Sequence, residues 1–252
     1  MTPAAAALAL AIGIAMGLLG GGGSLVAVPA FTFFLHLPPK DAIVTSLAVV
    51  GLAAAAGAVG GFVRRVVPVR VALIVGASAT VGALAGSAAG ARISDRLQLG
   101  ILAGVMFIAA FALLRQLDGA GALPHRRLRA RGTGAFVRTL TLLGLSIGAL
   151  TGLVGVGGGF LIVPALVIGA GLTMGQAAAA SLFVIALAAF SALAGYLSTA
   201  TPAWSFVLPL AAIAAAGTIA GGIVAYRLPQ RRLQQAFAIA LVILGSFVLV
   251  RL

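Results

Sequence analysis

The sequence contains no cysteine, no glutamate and no asparagine, and its only acidic residues are Asp41, Asp95 and Asp118. Without cysteine there is no disulfide, no thiolate metal ligand and no thiol nucleophile. All three aspartates lie near the ends of apolar stretches, so no carboxylate falls within a span and the usual intramembrane proton or sodium carrier is missing. His36 and His125 are far apart and neither has an acid beside it. A catalytic triad or a metal site has almost nothing to be made from, and the chain reads as a non-enzyme with no metal and no cofactor. Charge is scarce throughout: 8% of 252 residues, against about 25% in a soluble domain.

What fills the sequence instead is apolar: 62% of residues. Several stretches reach the ~18 residues needed to cross a bilayer. The clearest are 42–62, 71–91, 177–197 and 205–225, with less uniform ones at 97–114 and 233–250. Alternation of polar and apolar residues is lacking, which excludes a β-barrel. The expected class is an all-α polytopic (multi-pass) membrane protein. The net charge of +13 sits in short loops between the spans, where it sets topology and meets anionic lipid headgroups. Membrane lipids are therefore expected partners and nucleic acid is not. No basic segment precedes residues 4–19, and that stretch has a counterpart after residue 138, so it is expected to belong to the fold.

The chain is duplicated at a constant offset of 135. Gly13 meets Gly148, Gly17 meets Gly152, Gly20 meets Gly155, and Gly22-Gly23 meets Gly157-Gly158. Pro29 falls on Pro164, Ser46 on Ser181, Gly82 on Gly217, Gly86 on Gly221 and Arg92 on Arg227. The expected organisation is repeat 1 at 1–116, a basic linker at 117–138 and repeat 2 at 139–252. Each repeat reads as five segments: a first span (4–19 or 140–154), a short one (25–35 or 160–170) and three fuller spans. Eleven residues of helix cover only ~16 Å, about half the hydrocarbon core. The short segments are therefore half-helices or re-entrant, opened by the glycine runs Gly20-Gly21-Gly22-Gly23 and Gly155-Val156-Gly157-Gly158-Gly159.

Basic residues test the topology. If each hairpin returns to its starting side, every repeat makes three net crossings and the two copies are inverted. Twelve of the sixteen Lys and Arg then share a side with the central linker and four lie opposite. A hairpin that crosses once would make the repeats parallel and the split ten to six. The positive-inside rule favours inversion, with the central loop cytoplasmic. The fold class is thus two inverted repeats, each a broken or re-entrant helical hairpin plus three transmembrane helices.

Paired apolar stretches broken at matching points of two repeats are a pointer to a transporter's substrate site. A half-helix that starts after a glycine turn presents unpaired N–H groups and a positive dipole end, which suits an anion. The expected substrate-binding residues are Gly21, Gly22, Gly23, Ser24, Thr45, Ser46, Gly157, Gly158, Gly159, Phe160 and Ser181, around one midplane anion, with Pro29 and Pro164 as helix breaks. Gly13/Gly17 and Gly82/Gly86/Gly90 have the small-xxx-small spacing of close helix packing. Gly-rich outer faces also permit a homodimer.

A glycine-run half-helix ending in proline, then Ala42-Ile43-Val44-Thr45-Ser46-Leu47, then Gly82, Gly86 and Gly90-Ala91-Arg92, resembles the TauE/SafE sulfite-exporter-like permeases. The second copy has Gly157-Gly158-Gly159, Pro164, Ala180-Ser181-Leu182, Gly217 and Gly221. The likeness covers nearly the whole chain. It implies a bacterial inner-membrane permease for a small sulfur-containing anion such as sulfite, thiosulfate, a sulfonate or sulfoacetate. Alternating access is the expected mechanism; a passive anion or small-solute channel on the same half-helix architecture is the alternative.

Overall fold

The computed structural model describes residues 3–21, 23–63, 67–117, 133–154, 159–170, 172–197, 202–225 and 229–250. Ten helices lie in them: α1 (Pro3–Leu19), α2 (Ser24–Phe33), α3 (Pro39–Val63), α4 (Val69–Gly90), α5 (Asp95–Leu117), α6 (Thr133–Val154), α7 (Gly159–Ala170), α8 (Met174–Tyr196), α9 (Trp204–Ala225) and α10 (Gln230–Val250). The protein is an all-α polytopic membrane protein. Five helices (α3, α4, α6, α8 and α9) are long and apolar enough to cross a bilayer. Val63, Leu73, Val81, Ile108 and Ile243 are all more than half exposed, which suits a lipid-facing surface. Trp204, half-exposed at the start of α9, stands where an interfacial anchor belongs.

Helix limits repeat at the offset of the sequence duplication. Leu19 ends α1 and Val154 ends α6; Ser24 and Gly159 open the short helices; Pro39 and Met174, Val69 and Trp204, Asp95 and Gln230 open the next three pairs. Equivalent starts are fixed by different chemistry. Pro39 opens α3 as its first residue, where a missing N–H costs nothing. Thr173 opens α8 with a capping box, accepting from the Gln176 N–H at 3.4 Å while its own N–H donates to the Gln176 side chain at 3.3 Å. Within the expected linker 117–138, Leu117 lies in α5 and Thr133–Arg138 in the first turns of α6; residues 118–132, with their arginine cluster, lie outside the described residues.

Packing joins the two repeats more tightly than it joins neighbours within one. The first helix of each repeat lies on the fourth helix of the other: α1 on α9, α6 on α4. Glycines make the seams. Gly13 and Gly17 press on the backbone of Ala214 and Thr218, and at the same offset Gly148 and Gly152 press on that of Ala79 and Ala83. Gly82 and Gly86 return the contact against Leu145 and Ala149, as Gly217 and Gly221 do against Leu10 and Ile14. A Cβ at Gly148 would stand 2.7 Å from the Ala79 Cα. The small-xxx-small glycines are therefore packing residues, and both seams are parallel because contact numbers rise together.

The third helices form the centre. In α3, every residue from Ala42 to Gly51 is buried. It meets α8 in antiparallel register: a Cβ at Gly51 would lie 3.4 Å from Ala189 Cβ, at Gly57 2.9 Å from Leu182 Cδ1, and at Gly61 3.3 Å from Ala179 Cβ. Equivalent helices of the two repeats thus run in opposite directions through the middle of the molecule.

Candidate functional site

The first glycine break is a closed, buried turn between α1 and α2. Gly20 (φ 63°) and Gly21 (φ 112°) both take the left-handed side of the map, which only glycine enters cheaply. The Gly21 N–H reaches back to the Met16 carbonyl at 3.0 Å, so α1 ends in a tight reversal. The Gly21 carbonyl accepts from both the backbone N–H of Ser24 (3.1 Å) and its Oγ (2.7 Å). Ser181, on α8 and fully buried, donates its hydroxyl to the Gly20 carbonyl and also lies 2.8 Å from the Ala178 carbonyl. The place of a Gly20 side chain is filled by Ala178, and that of Gly23 by Met16 and Ile12 on α1. Gly22 lies outside the described residues.

This geometry revises the roles read from the sequence. Gly23 backs closely onto Ile12 and Met16 of α1, so its lack of a side chain serves packing there. The Ser24 and Ser181 hydroxyls are spent on backbone carbonyls, because hydrocarbon supplies no water to satisfy those groups. The donors that remain are main-chain ones: α2 has no side-chain N-cap, although the Val26 N–H bonds the Gly23 carbonyl at 3.2 Å. Pro29 does not end its helix. It sits inside α2, which runs on to Phe33; the missing N–H costs the Leu25 carbonyl its donor, but buried Ala27, Val28, Ala30 and Phe31 hold the helix on both sides of it. Pro164 likewise lies within α7. The first break is made at Gly20 and Gly21, not at Pro29.

A second revision concerns the pair Ser46 and Ser181. The register of α3 on α8 sets Ser181 level with about residue 59, so the two serines lie roughly thirteen residues, or about 20 Å, apart along the helix axes. They cannot both touch one small anion. The structure brings Gly20, Gly21, Ser24 and Ser181 together and keeps Thr45 and Ser46 apart from them, on the other side of the α3–α8 crossing. Ser46 is fully buried and its Oγ has no hydrogen-bond partner, whereas Ser181, its repeat equivalent, is engaged. Thr45 is 6% exposed beside it. Of the second glycine run, residues 155–158 lie outside the described residues; Gly159 opens α7, and the side chain of Phe160 is not described.

One polar group escaped the sequence reading. Gln98, in the first turn of α5, is buried against Tyr196 of α8 and the Leu153 carbonyl of α6. A buried glutamine in an otherwise apolar helix is the signal that could have drawn attention to it. Among the described residues no group of three or more His, Cys, Asp or Glu could hold a metal ion.

The chain matches the family described as Sulfite exporter TauE/SafE over residues 5–248. It is 36% identical over 157 residues to a probable membrane transporter protein of Xylella fastidiosa (strain 9a5c), covering 62% of this chain and 59% of that protein. It is 27% identical over 187 residues to the probable membrane transporter protein YdhB of Bacillus subtilis (strain 168), covering 74% of this chain and 75% of that one. The alignment thus spans less than two thirds of the Xylella relative's length. No solved structure matches the chain significantly.

Proposed function

Because this chain belongs to the sulfite exporter TauE/SafE family, we propose that it is an inner-membrane transporter of small sulfur-containing anions. The relatives are named as probable membrane transporters, and the composition and helices suit no aqueous function. The observation that carries the reading is the duplicated half-helix: α2 and α7 both open directly after a glycine run, and α2 does so without a side-chain cap, inside the protein. Backbone N–H groups and a positive helix end then meet the anion. A ligand held this way is also free to leave.

The repeats are inverted across the membrane. The antiparallel run of α3 and α8, together with the parallel seams α1–α9 and α4–α6, supports a hairpin that returns to its starting side. The central linker is cytoplasmic. Since Ser181 and Ser46 lie about 20 Å apart along the α3–α8 pair, we take each side as a separate station that the anion visits in turn. On this reading the Ser181 and Ser24 hydroxyls, bonded to backbone carbonyls, keep the first station shut, while the Ser46 hydroxyl, unpaired among the described residues, serves the other. Alternating access exchanges those two states. The bodies that move are not the repeats themselves, because the glycine seams tie α1 to α9 and α4 to α6 across the repeat boundary.

An inside-negative potential drives a monovalent anion outward with ~2.3 kcal/mol per 100 mV, so export needs no coupling ion. The test is radiolabelled sulfite flux in proteoliposomes at clamped potentials of both signs. Saturable flux with counterflow supports the carrier, and a steady single-channel current would replace it with the passive channel. Absence of flux for every sulfur anion at either sign would refute the proposal.

A further inference from the structure

The polar cluster around Gln98 has no role in the stations described above. Its Nε2 donates to the Leu153 carbonyl at 2.6 Å and to the Tyr196 hydroxyl oxygen at 2.7 Å. The Tyr196 hydroxyl in turn lies 3.3 Å from that carbonyl. Gly90, at the end of α4, leaves the room, since a Cβ there would stand 2.6 Å from the Leu153 oxygen. Both amide hydrogens of Gln98 are spent, yet its Oε1 is buried with no partner among the described residues. The amide cannot be turned over to relieve this, because two carbonyl oxygens would then face each other at Leu153. Leu153 stands two positions before the second glycine run. An acceptor in want of a donor therefore lies beside Leu153 at the end of α6, where most buried polar atoms would find a partner.

Charge points the same way. Among the described residues no lysine or arginine is buried. The charging cost of an ion in a low-dielectric site grows with the square of its charge, so a dianion would cost roughly four times what a monoanion does, with no buried cation to offset it.

We propose that the transported species is a singly charged sulfur oxyanion that still carries its proton, and that Gln98 Oε1 accepts the hydrogen bond from that O–H at the C-terminal end of α6. This rests on the sulfur-anion reading above and narrows it: hydrogensulfite is carried and the sulfite and sulfate dianions are not. Tyr196 is a positioning residue that holds the Gln98 amide.

The test uses the full chain in proteoliposomes, with sulfite flux measured across neutral pH at fixed total sulfite. Sulfate is the obligate dianion, and methanesulfonate is a monoanion of similar size with no O–H. Sulfite flux, normalised to methanesulfonate, should fall with the hydrogensulfite fraction as pH rises, and sulfate should not be carried. Gln98→Met should erase the preference for hydrogensulfite over methanesulfonate, about tenfold for one hydrogen bond to a charged ligand. Tyr196→Phe, which keeps Oε1, should preserve most of it. Sulfite flux that rises with the dianion, or a Gln98→Met variant that slows both anions equally, overturns the proposal. If Gln98→Met does not insert, the wild-type ratio decides, and equal rates for the two monoanions overturn it. Failure of every sulfur anion at every pH instead refutes the transport reading itself, and the proposal falls with it.

Discussion

Two glycine-to-alanine substitutions should move stability in opposite directions. Gly148 and Gly104 are both helical glycines in apolar spans, and intrinsic propensity alone says that alanine stabilises either by about 0.5–1 kcal/mol. Their surroundings differ. At Gly104 a Cβ would meet nothing within 4 Å, so propensity is the whole effect. At Gly148 it would stand 2.7 Å from both the Cα and the carbonyl carbon of Ala79, where ordinary carbon contacts begin at about 3.5 Å. Backbone cannot rotate away as a side chain can. The seam must open by about 1 Å, which carries neighbouring Gly82, Gly86 and Gly152 out of contact. Overpacking of this kind costs about 1–3 kcal/mol. The propensity gain is common to both, so the two variants should differ by the overpacking cost alone, about 1–3 kcal/mol, or about 2–12 °C in melting temperature for a chain of this size. Thermal melts of the detergent-solubilised protein, followed by helical circular dichroism, give the comparison. Gly13→Ala, the repeat equivalent, should fall with Gly148→Ala. The reasoning is refuted if Gly148→Ala melts at or above the wild type, or if Gly104→Ala melts as low as Gly148→Ala.

Ser181→Ala leaves the Gly20 carbonyl buried and without its side-chain donor, so it should cost about 1–3 kcal/mol in the same melts. Ser46→Ala removes a hydroxyl that bonds nothing, so it should leave the melting temperature unchanged or raise it while lowering sulfite flux; a clear loss of stability would show that Ser46 has a structural partner. Gly20→Ala must enter a left-handed conformation, costing about 1–2 kcal/mol, and must also displace Ala178; Gly60→Ala, with open space around it, is the matched control and should be benign by flux and by melting.

Much of the fold was legible because its signals are local. Runs of apolar residues ended by Gly, Pro or Arg gave helix positions to within a few residues, and the 135-residue offset reappears in every helix start after the first. The half-helices followed from length alone. Other features depend on distances that no window of sequence contains. Ser46 and Ser181 match in the repeat, and that match suggested one shared ligand; only the antiparallel register of α3 on α8 sets them about 20 Å apart. Pro29 carries a helix-breaking prior, but burial on α2 outweighed it. Ser24 and Ser181 were read as free donors, whereas a dry interior claims such hydroxyls for the nearest unpaired carbonyl. The Gln98–Tyr196 bond joins residues 98 positions apart, and in the other repeat the equivalent positions are Leu233 and Gly61, so the duplication gave no hint of it.

The seam between α1 and α9 also sets a timetable for making the protein. Gly13 packs on Ala214, about two hundred residues later in the chain. At ~5–20 residues per second, the first helix waits ~10–40 s in the membrane before its partner is synthesised. During that time its glycine face has only lipid, or another newly made helix, to rest on. The mirrored seam between α4 and α6 closes much sooner, since Ala79 and Gly148 are far closer in sequence. Assembly therefore starts in the middle of the chain and finishes at its beginning, and a ribosome stalled before α9 leaves α1 without its place.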